Sequence, residues 1–480
     1  MRAAHAVAVV REAEGALMAT VPPGTLMQRA ATGLTRTCAQ LLGSVYGARV
    51  LLLVGSGDNG GDALYAGARL AGRGARVDAV LLGERVHQGG LDALLRAGGR
   101  AVPAGDEATA LSLVARADLV VDGIVGIGGS GALRPAAAAL AAAAAGAWRV
   151  AVDLPSGVDA DTGRLAGAAF AADVTVTFGT LKPGLLVHPG SAHAGIIELV
   201  DIGLGPWLPE VATLLVPDAE DVAAGWPVPG ADDDKYTQGV VGVAAGSPQY
   251  TGAAVLSVGG AVRSGAGLVR YTGGAADQVR AHWPEAVVNE GRVQAWVVGP
   301  GMGTDTTAAE RLRAVLASDV PVVVDADALT LLAEHQDWVR DRPALTVLTP
   351  HDREFERFGL PLGDDRAGAA RALAAGLGAV VLLKGSTTLV ARPDGVVHVN
   401  PTGTGALATG GTGDVLAGVI GRLLAGGLGA LAPVVAAFVH GLAGRLAAEA
   451  GRPVSAGDVL ARLPDAVAAA AGPARDRIGR

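Results

Sequence analysis

Apolar runs long enough to be buried strands, each followed by an Ala/Leu/Arg segment of helical period, recur from about Arg49 to the far end of the chain. RVLLLVG, ADLVVDGIVG, WRVAVDLPSG and ADVTVTFG form one series; GVVGVAAGS, AWVVGPGMG, VPVVVDADAL, ALTVLTPH and AVVLLKGS form a second. A strand that is apolar along its whole length must be covered on both faces, and strands that alternate with helices join in parallel. The pattern therefore specifies an α/β class twice, as parallel sheets with helices on both faces. Residues 3–42 read as helix, a turn at Pro22-Pro23-Gly24, and helix. PDAEDVAAGWPVP, residues 217–229, and the GADDD after it interrupt the alternation, so the expected domains are 1–215 and 222–475. The two halves carry different motifs and are not copies.

Composition narrows the function. Half of the 480 residues are hydrophobic and 18% are charged, which excludes a disordered chain. A net charge of −8 argues against a protein that coats nucleic acid, whose affinity comes from clustered Lys and Arg. Small anions stay open as ligands, because helix N-termini bind phosphate without net positive charge. The single Cys38 cannot form an internal disulfide, and the cytoplasm is the expected compartment. The N-terminal apolar run meets Arg11, Glu12 and Glu14 too early for a signal peptide. Residues 423–439 are uncharged but hold glycines and Pro433, and fall short of the ~20 residues that span a bilayer. They read as buried helices joined by a turn, so no membrane partner is expected.

Only three of the 38 basic residues are lysine: Lys182, Lys235 and Lys384. A bias this strong replaces Lys wherever Arg serves, so lysine is retained where a compact ammonium fits and a planar guanidinium does not. Lys182 and Lys384 sit inside Gly-containing motifs; Lys235 follows Asp232-Asp233-Asp234, where simple escape from the bias explains it as well.

In the first half, LLLVGSGDNGGD runs from a strand into Gly55, Gly57, Gly60 and Gly61, with the next helix expected near Asp62. Glycines there let backbone N–H groups approach a ligand's phosphates at the switch point of a doubly wound sheet. Asp58, Asn59 and Asp62 crowd the same turn and would repel phosphate unless a cation intervened. Asp122, Asp153 and Ser156 fall at C-terminal ends of later strands, where open α/β sheets keep their sites. Asn59, Asp122 and Ser156 offer oxygens suited to a hard cation, although Ser156 is as readily a turn cap. Asp153, an acid ending a buried strand, is the candidate for acid/base work.

GSGDNGGD, VDGIVGIGGSG, VDLPSGVDADTG and FGTLKPG together resemble the YjeF-type N-terminal domain, the NAD(P)HX epimerase family. The resemblance implies a Rossmann-like fold, epimerisation at C6 of hydrated NADH or NADPH, and K⁺ held by Asn59, Asp122 and Ser156. It implies an active-site acid at Asp153, and substrate binding by Asp58, Asn59, Gly60, Gly61 and Asp62 and by the loop Gly126, Ile127, Gly128, Gly129, Ser130, Gly131 and Ala132. Asp58 stands where the family usually has Asn, and LMQRAA replaces the common LMERAG.

In the second half, GGTGDVLAGVI from Gly410 places Asp414 near a helix start beside an anion hole of N–H groups. KGSTT, residues 384–388, ends a strand with an ammonium and hydroxyls suited to nucleotide phosphates, and Thr349-Pro350-His351 offers an imidazole at another strand end. With K235YTQG, AGSPQYTGAA, GPGMG, VVDADAL and LTPHDRE, these motifs resemble the ribokinase-like fold and the ADP/ATP-dependent NAD(P)HX dehydratase family. That resemblance implies contacts to the hydrated nicotinamide from Ala253, Gly303, His351 and Asp414. It also implies an adenine-nucleotide site at Lys384, Gly385, Ser386, Thr387, Thr388 and Gly413. The expected substrates are NADHX, NADPHX and ADP, with Mg²⁺ assisting and Asp414 as base; a homo-oligomer is the expected assembly. Two rival readings are a small-molecule kinase of vitamin or sugar type fused to a nucleotide-binding domain, and an N-terminal half that only binds or scaffolds.

Overall fold

The structure is a computed structural model that describes residues 1–129 and 131–475. It divides into two compact units, Ala3–Thr213 and Leu214–Arg480 with Met1–Arg2.

After the short strand β1 (Arg2–Ala4), the first unit opens with the helices Val7–Met18 and Thr25–Leu42. Gly24, at φ 82, makes the turn between them at the expected Pro-Pro-Gly. Seven parallel strands follow: β2 (Arg49–Val54), β3 (Arg76–Leu81), β4 (Arg100–Pro103), β5 (Leu119–Gly123), β6 (Trp148–Val152), β7 (Val174–Phe178) and β8 (Ile196–Val200). Their order, β4-β3-β2-β5-β6-β7-β8, reverses direction at β2 and β5. That reversal opens a crevice at the C-terminal ends of the two strands. Successive side chains of β2 serve opposite faces, as a pleated strand requires: Leu52 and Val54 pack with Ala31, Leu34 and Cys38, whereas Leu51 and Leu53 pack with Ala110, Val114 and Leu140. β2, β5, β6 and β7 are the four apolar runs of the first series. β3 is broken by Asp78 and β8 is an edge strand with Ile196 and Leu199 exposed, so neither carries the buried-strand signature.

The helix after β2 begins at Asp58, one turn earlier than expected. Gly57 is its extended N-cap, and Gly60 and Gly61 lie inside the first turn. A Cβ on Gly60 would press on the Gly55 carbonyl and Val54, so this glycine lets the helix start directly on the strand end.

The second unit holds β9 (Leu214–Val216), β10 (Val240–Ala244), β11 (Leu268–Thr272), β12 (Ala295–Val298), β13 (Val322–Val324), β14 (Thr346–Leu348), β15 (Val380–Leu383), β16 (Leu389–Ala391) and β17 (Val397–Val399). The ten-stranded order is β1-β9-β17-β16-β15-β14-β13-β12-β10-β11. Pairing is parallel from β11 to β15 and antiparallel through the hairpins to β17. All five apolar runs of the second series are strands, at β10, β12, β13, β14 and β15. Residues 423–439 are, as expected, parts of two buried helices, Thr412–Ala425 and Ala432–Ala447, separated by a turn. The stretch Gly429–Ala447 is apolar and long enough to cross a membrane by composition alone, yet it is largely buried in this core.

Thr412–Ala425 crosses Thr251–Arg263 backbone to backbone. A Cβ on Gly418 would collide with the Ser257 carbonyl, and one on Gly260 with the Val415 carbonyl. Gly418→Ala is therefore expected to cost about 2 kcal/mol through overpacking. Thermal denaturation checks this against Gly376→Ala, a helical glycine with open space around it, which should not lower Tm.

Candidate functional site

In the first unit, the ends of β2, β5 and β6 bring the expected cation ligands together. Asp122 is fully buried; its Oδ2 accepts the Ser156 N–H at 2.8 Å, and its Oδ1 accepts the Ser156 hydroxyl at 2.7 Å and the Ile124 N–H at 3.2 Å. Burial pushes this carboxyl up to about 6, against the hydrogen bonds from Ser156 and Ile124. Ser156 Oγ accepts the Val125 N–H at 3.0 Å and lies 3.2 Å from the Val125 carbonyl. Asn59 spends its Nδ2 on the Val152 carbonyl at 2.9 Å, and a Cβ on Gly126 would sit 2.8 Å from its Oδ1. One buried acid and several neutral oxygens, with no basic side chain bonded to that acid among the described residues, make a donor set that fits a hard cation.

Asp153 follows β6 at φ 64, a conformation that few non-glycine residues adopt. Its Oδ1 accepts the Lys182 ammonium at 2.6 Å, the Thr177 hydroxyl at 3.1 Å and the Phe178 N–H at 3.4 Å. Asp62 is buried, and its Oδ1 has no hydrogen-bond partner among the described residues. Burial, then the nearby charges of Asp153, Asp58 and Glu14, raise its carboxyl well above the usual range. Burial also raises Glu14, with Lys182 opposing and Asp153 and Asp58 adding to the rise. The loop from Gly126 turns through a Gly129 N–H to Gly126 carbonyl bond of 3.0 Å, and Arg11 reaches the Ile127 carbonyl at 3.4 Å. Ser130, an expected member of this loop, lies outside the described residues.

In the second unit, Gly411 at φ 88 caps the helix Thr412–Ala425 without a side-chain hydrogen bond, so the first-turn N–H groups, which have no partner within any helix, are not capped by a side chain either. Asp414 stands in that turn. Burial pushes its carboxyl up to about 7; Asp325 adds to the rise, Lys384 opposes it, and Asp327 and Glu354 contribute further. Lys384 Nζ is 2.8 Å from Asp325 Oδ1 and 3.7 Å from Glu354 Oε2. Burial pulls this ammonium down, but Asp325, Glu354 and Asp414 together raise it. Asp325 also accepts the Thr349 hydroxyl at 2.8 Å. A Cβ on Gly413 would lie 3.4 Å from Lys384 Nζ, so this glycine keeps the ammonium beside the helix start.

Three further residues were expected at this site. Gly303, at φ 82, donates its N–H to Asp327 Oδ2 at 2.9 Å. Ala253 packs beside Gly301, whose added Cβ would lie 2.8 Å from it. His351 Nδ1 accepts the backbone N–H groups of Arg353 and Glu354 at 3.1 and 3.3 Å, while the His351 backbone N–H donates to Glu354 Oε2 at 2.8 Å. This capping box fixes the imidazole at the head of the short helix Asp352–Glu356. In the KGSTT turn, Arg366 donates to the Lys384 carbonyl at 3.2 Å and pairs with Asp352. Thr387 is buried, and the Thr388 carbonyl accepts the Asn400 N–H at 2.9 Å.

Residues 23–184 match the family model of the YjeF-related protein N-terminus, and residues 241–464 that of NAD(P)H-hydrate dehydratase. The bifunctional NAD(P)H-hydrate repair enzyme Nnr of Mycobacterium leprae (strain TN) is 54% identical over 422 residues, covering 85% of this chain and 86% of its own length. That of Mycobacterium tuberculosis (strain ATCC 25618 / H37Rv) is 53% identical with the same coverage, 85% and 86%. The chain belongs to the bifunctional NAD(P)H-hydrate repair enzymes. Among solved structures, a ribokinase-like superfamily protein from Enterococcus faecalis V583 covers 55% of this repair enzyme and 99% of its own chain, at 27% identity and a TM-score of 0.51.

Within this repair enzyme, several charged neighbours of the sites were not among the residues expected from sequence. Asp325 and Asp327 lie in VVDADAL and Glu354 in TPHDRE, motifs that marked the region without saying which acid turns inward. Glu14 carried no local signal. Lys182 carried one, its retention in an arginine-rich chain.

Raising Asp414 from 3.8 to about 7 makes the folded state bind a proton more tightly than the unfolded chain. The stability from that proton is complete below the unfolded value and is lost as pH rises through about 7. Melting curves of the wild type and Asp414→Asn from pH 5 to 8 should show the wild type losing Tm relative to the variant.

Proposed function

We propose that the second unit dehydrates the S epimer of NAD(P)HX with ADP, and that the first unit interconverts the R and S epimers. The observation that carries the reading is Asp414, a carboxyl that burial pushes up to about 7, standing beside uncapped first-turn amides. A base is most effective when its proton affinity matches the working pH. Asp414 takes the proton of the C6 hydroxyl as that oxygen forms a bond to the β-phosphorus of ADP and AMP leaves. The first-turn N–H groups of Thr412, Gly413 and Asp414 stabilise charge on the transferring phosphoryl. The C6–O bond then breaks to release phosphate, and loss of a ring proton restores the dihydronicotinamide. The products are NAD(P)H, AMP and phosphate.

Lys384, set between Asp325 and the helix start, supplies positive charge near that phosphoryl, with Gly385, Ser386, Thr387 and Thr388 lining the nucleotide side. Ala253, Gly303 and His351 border the nicotinamide. No group of three or more His, Cys, Asp or Glu side chains suited to a metal occurs among the described residues, so Mg²⁺ would be held chiefly by the nucleotide's own phosphates.

In the first unit, Asn59, Asp122 and Ser156 would hold K⁺, which when bound supplies positive charge opposite the acidic turn and the substrate's diphosphate. Asp153 exchanges a proton at or near C6. Asp58, Gly60, Gly61 and Asp62, with the described residues Gly126, Ile127, Gly128, Gly129, Gly131 and Ala132, would enclose the substrate. NADHX, NADPHX and ADP are thus the small-molecule partners; the lone buried Cys38 supports a cytoplasmic setting, and we take the working form to be a homo-oligomer.

The test is the full-length protein with mixed NADHX epimers and ADP, followed by NADH absorbance and AMP release. Complete recovery is expected, with AMP formed only in the presence of NADHX; with ATP in place of ADP, phosphorylation of an unrelated alcohol with release of ADP would support a kinase instead. Asp414→Ala should lose dehydration by about 100-fold or more while epimerisation persists. Asp153→Ala should do the reverse.

A further inference from the structure

The Lys182 ammonium lies in the interior of the first unit, and no step above uses it. Its side chain is 2% exposed, against 10% for Asp153 beside it. An ammonium has three protons to donate, and all three have acceptors here: Asp153 Oδ1 at 2.6 Å, Thr177 Oγ1 at 3.0 Å and the Phe178 carbonyl at 2.9 Å. None is left to hold substrate. Asp153 Oδ1 in turn accepts from Lys182, Thr177 and the Phe178 N–H, whereas among the described residues no hydrogen bond to its Oδ2 is found. The carboxylate is gripped by one oxygen.

The chain is built to put a lysine there. β7 ends at Phe178, Gly179 turns at φ 71, and Lys182 returns to the β7 end and to Asp153. Arginine would bring five donors on a broad planar fork into a space that satisfies three. In a chain that retains only three lysines, this one is kept by its surroundings.

We infer that Lys182 is a positioning residue for epimerisation: by clamping Oδ1 of Asp153, it leaves Oδ2 as the oxygen that exchanges a proton with the hydrated nicotinamide. The inference rests on the proposed epimerase reading. In the step, an O–H bond forms at Oδ2 as the substrate's bond to that hydrogen breaks, with its electron pair staying on the substrate. Return of the proton restores the carboxylate, so neither oxidant nor reductant is needed. Charged groups that face the pair include Glu14 from the helix Val7–Met18, which feels both Lys182 and Asp153, and Asp62 from the helix Asp58–Gly72, which feels Asp153; Asp58 and Arg11 act on Glu14 in turn. Removal of the ammonium takes away the cation bonded to Asp153 Oδ1 at 2.6 Å and leaves the neighbouring carboxyls in place, a change that disfavours a second negative charge there.

Lys182→Met in the full-length protein tests this. R-to-S conversion should lose about 100-fold in kcat with KM little changed, and the acid limb of its pH profile should move to higher pH. Dehydration of the S epimer, followed in the same sample, checks that the protein is intact. Wild-type kcat with an unmoved acid limb would overturn the inference. Should Lys182→Met fail to fold, Thr177→Val loosens the same clamp and keeps the charge: a fall in kcat at constant KM supports the inference, and wild-type kcat overturns it. Asp153→Ala separates the two levels. If it still epimerises, the base reading itself fails; if it is inactive while Lys182→Met is not, only the clamp is wrong.

Discussion

A carboxylate removed from water is costly unless a cation or several donors meet it. Both units are organised around that constraint. In the first, Asp153 is met by Lys182, Thr177 and a backbone N–H; in the second, Asp325 is met by Lys384 and Thr349. In each, a second acid stands nearby with no cation bonded to it among the described residues. Asp62 and Asp414 both bind protons more tightly than an exposed aspartate, chiefly because they are buried and partly because the paired aspartate is close. One ion pair thus fixes the local charge, and the unpaired acid beside it is tuned by contrast. Sites that divide their carboxyls in this way are suited to proton transfer near neutral pH.

The sheets supply the positions. Parallel strands all end on one side, so β2, β5 and β6 deliver Asn59, Asp122, Asp153 and Ser156 to one crevice, and β13, β14 and β15 deliver Asp325, His351 and Lys384 to another. Helices then enter at close range because glycine leaves room for them. Gly60 seats one helix on the end of β2, and Gly418 and Gly260 let the Asp414 helix cross its neighbour at backbone distance. The 72 glycines among the 480 residues thus serve close approach as well as loops.

Legibility followed from how local each signal was. Fully apolar runs gave β2, β5, β6, β7 and five strands of the second unit, because a strand buried on both faces needs no context to declare itself. Short or mixed strands such as β4, β16 and β17 were missed, since they are stabilised by neighbours that lie far off in sequence. The helix start at Asp58 was misplaced because glycines signal a turn in sequence, while here close packing on the strand end admits them to the first helical turn.

The sequence by itself determined the α/β class, the family, the motifs at the strand ends, and the retention of a lysine in each of two of those motifs. Each of these is a property of residue type and local order. Only the tertiary structure decided that Lys182 faces Asp153, that Lys384 faces Asp325 and Glu354, and that Glu14 joins the first site from a helix near the chain's start. Pairing and burial arise between residues distant along the chain, and the proton affinities of Asp62, Asp122 and Asp414 depend on both.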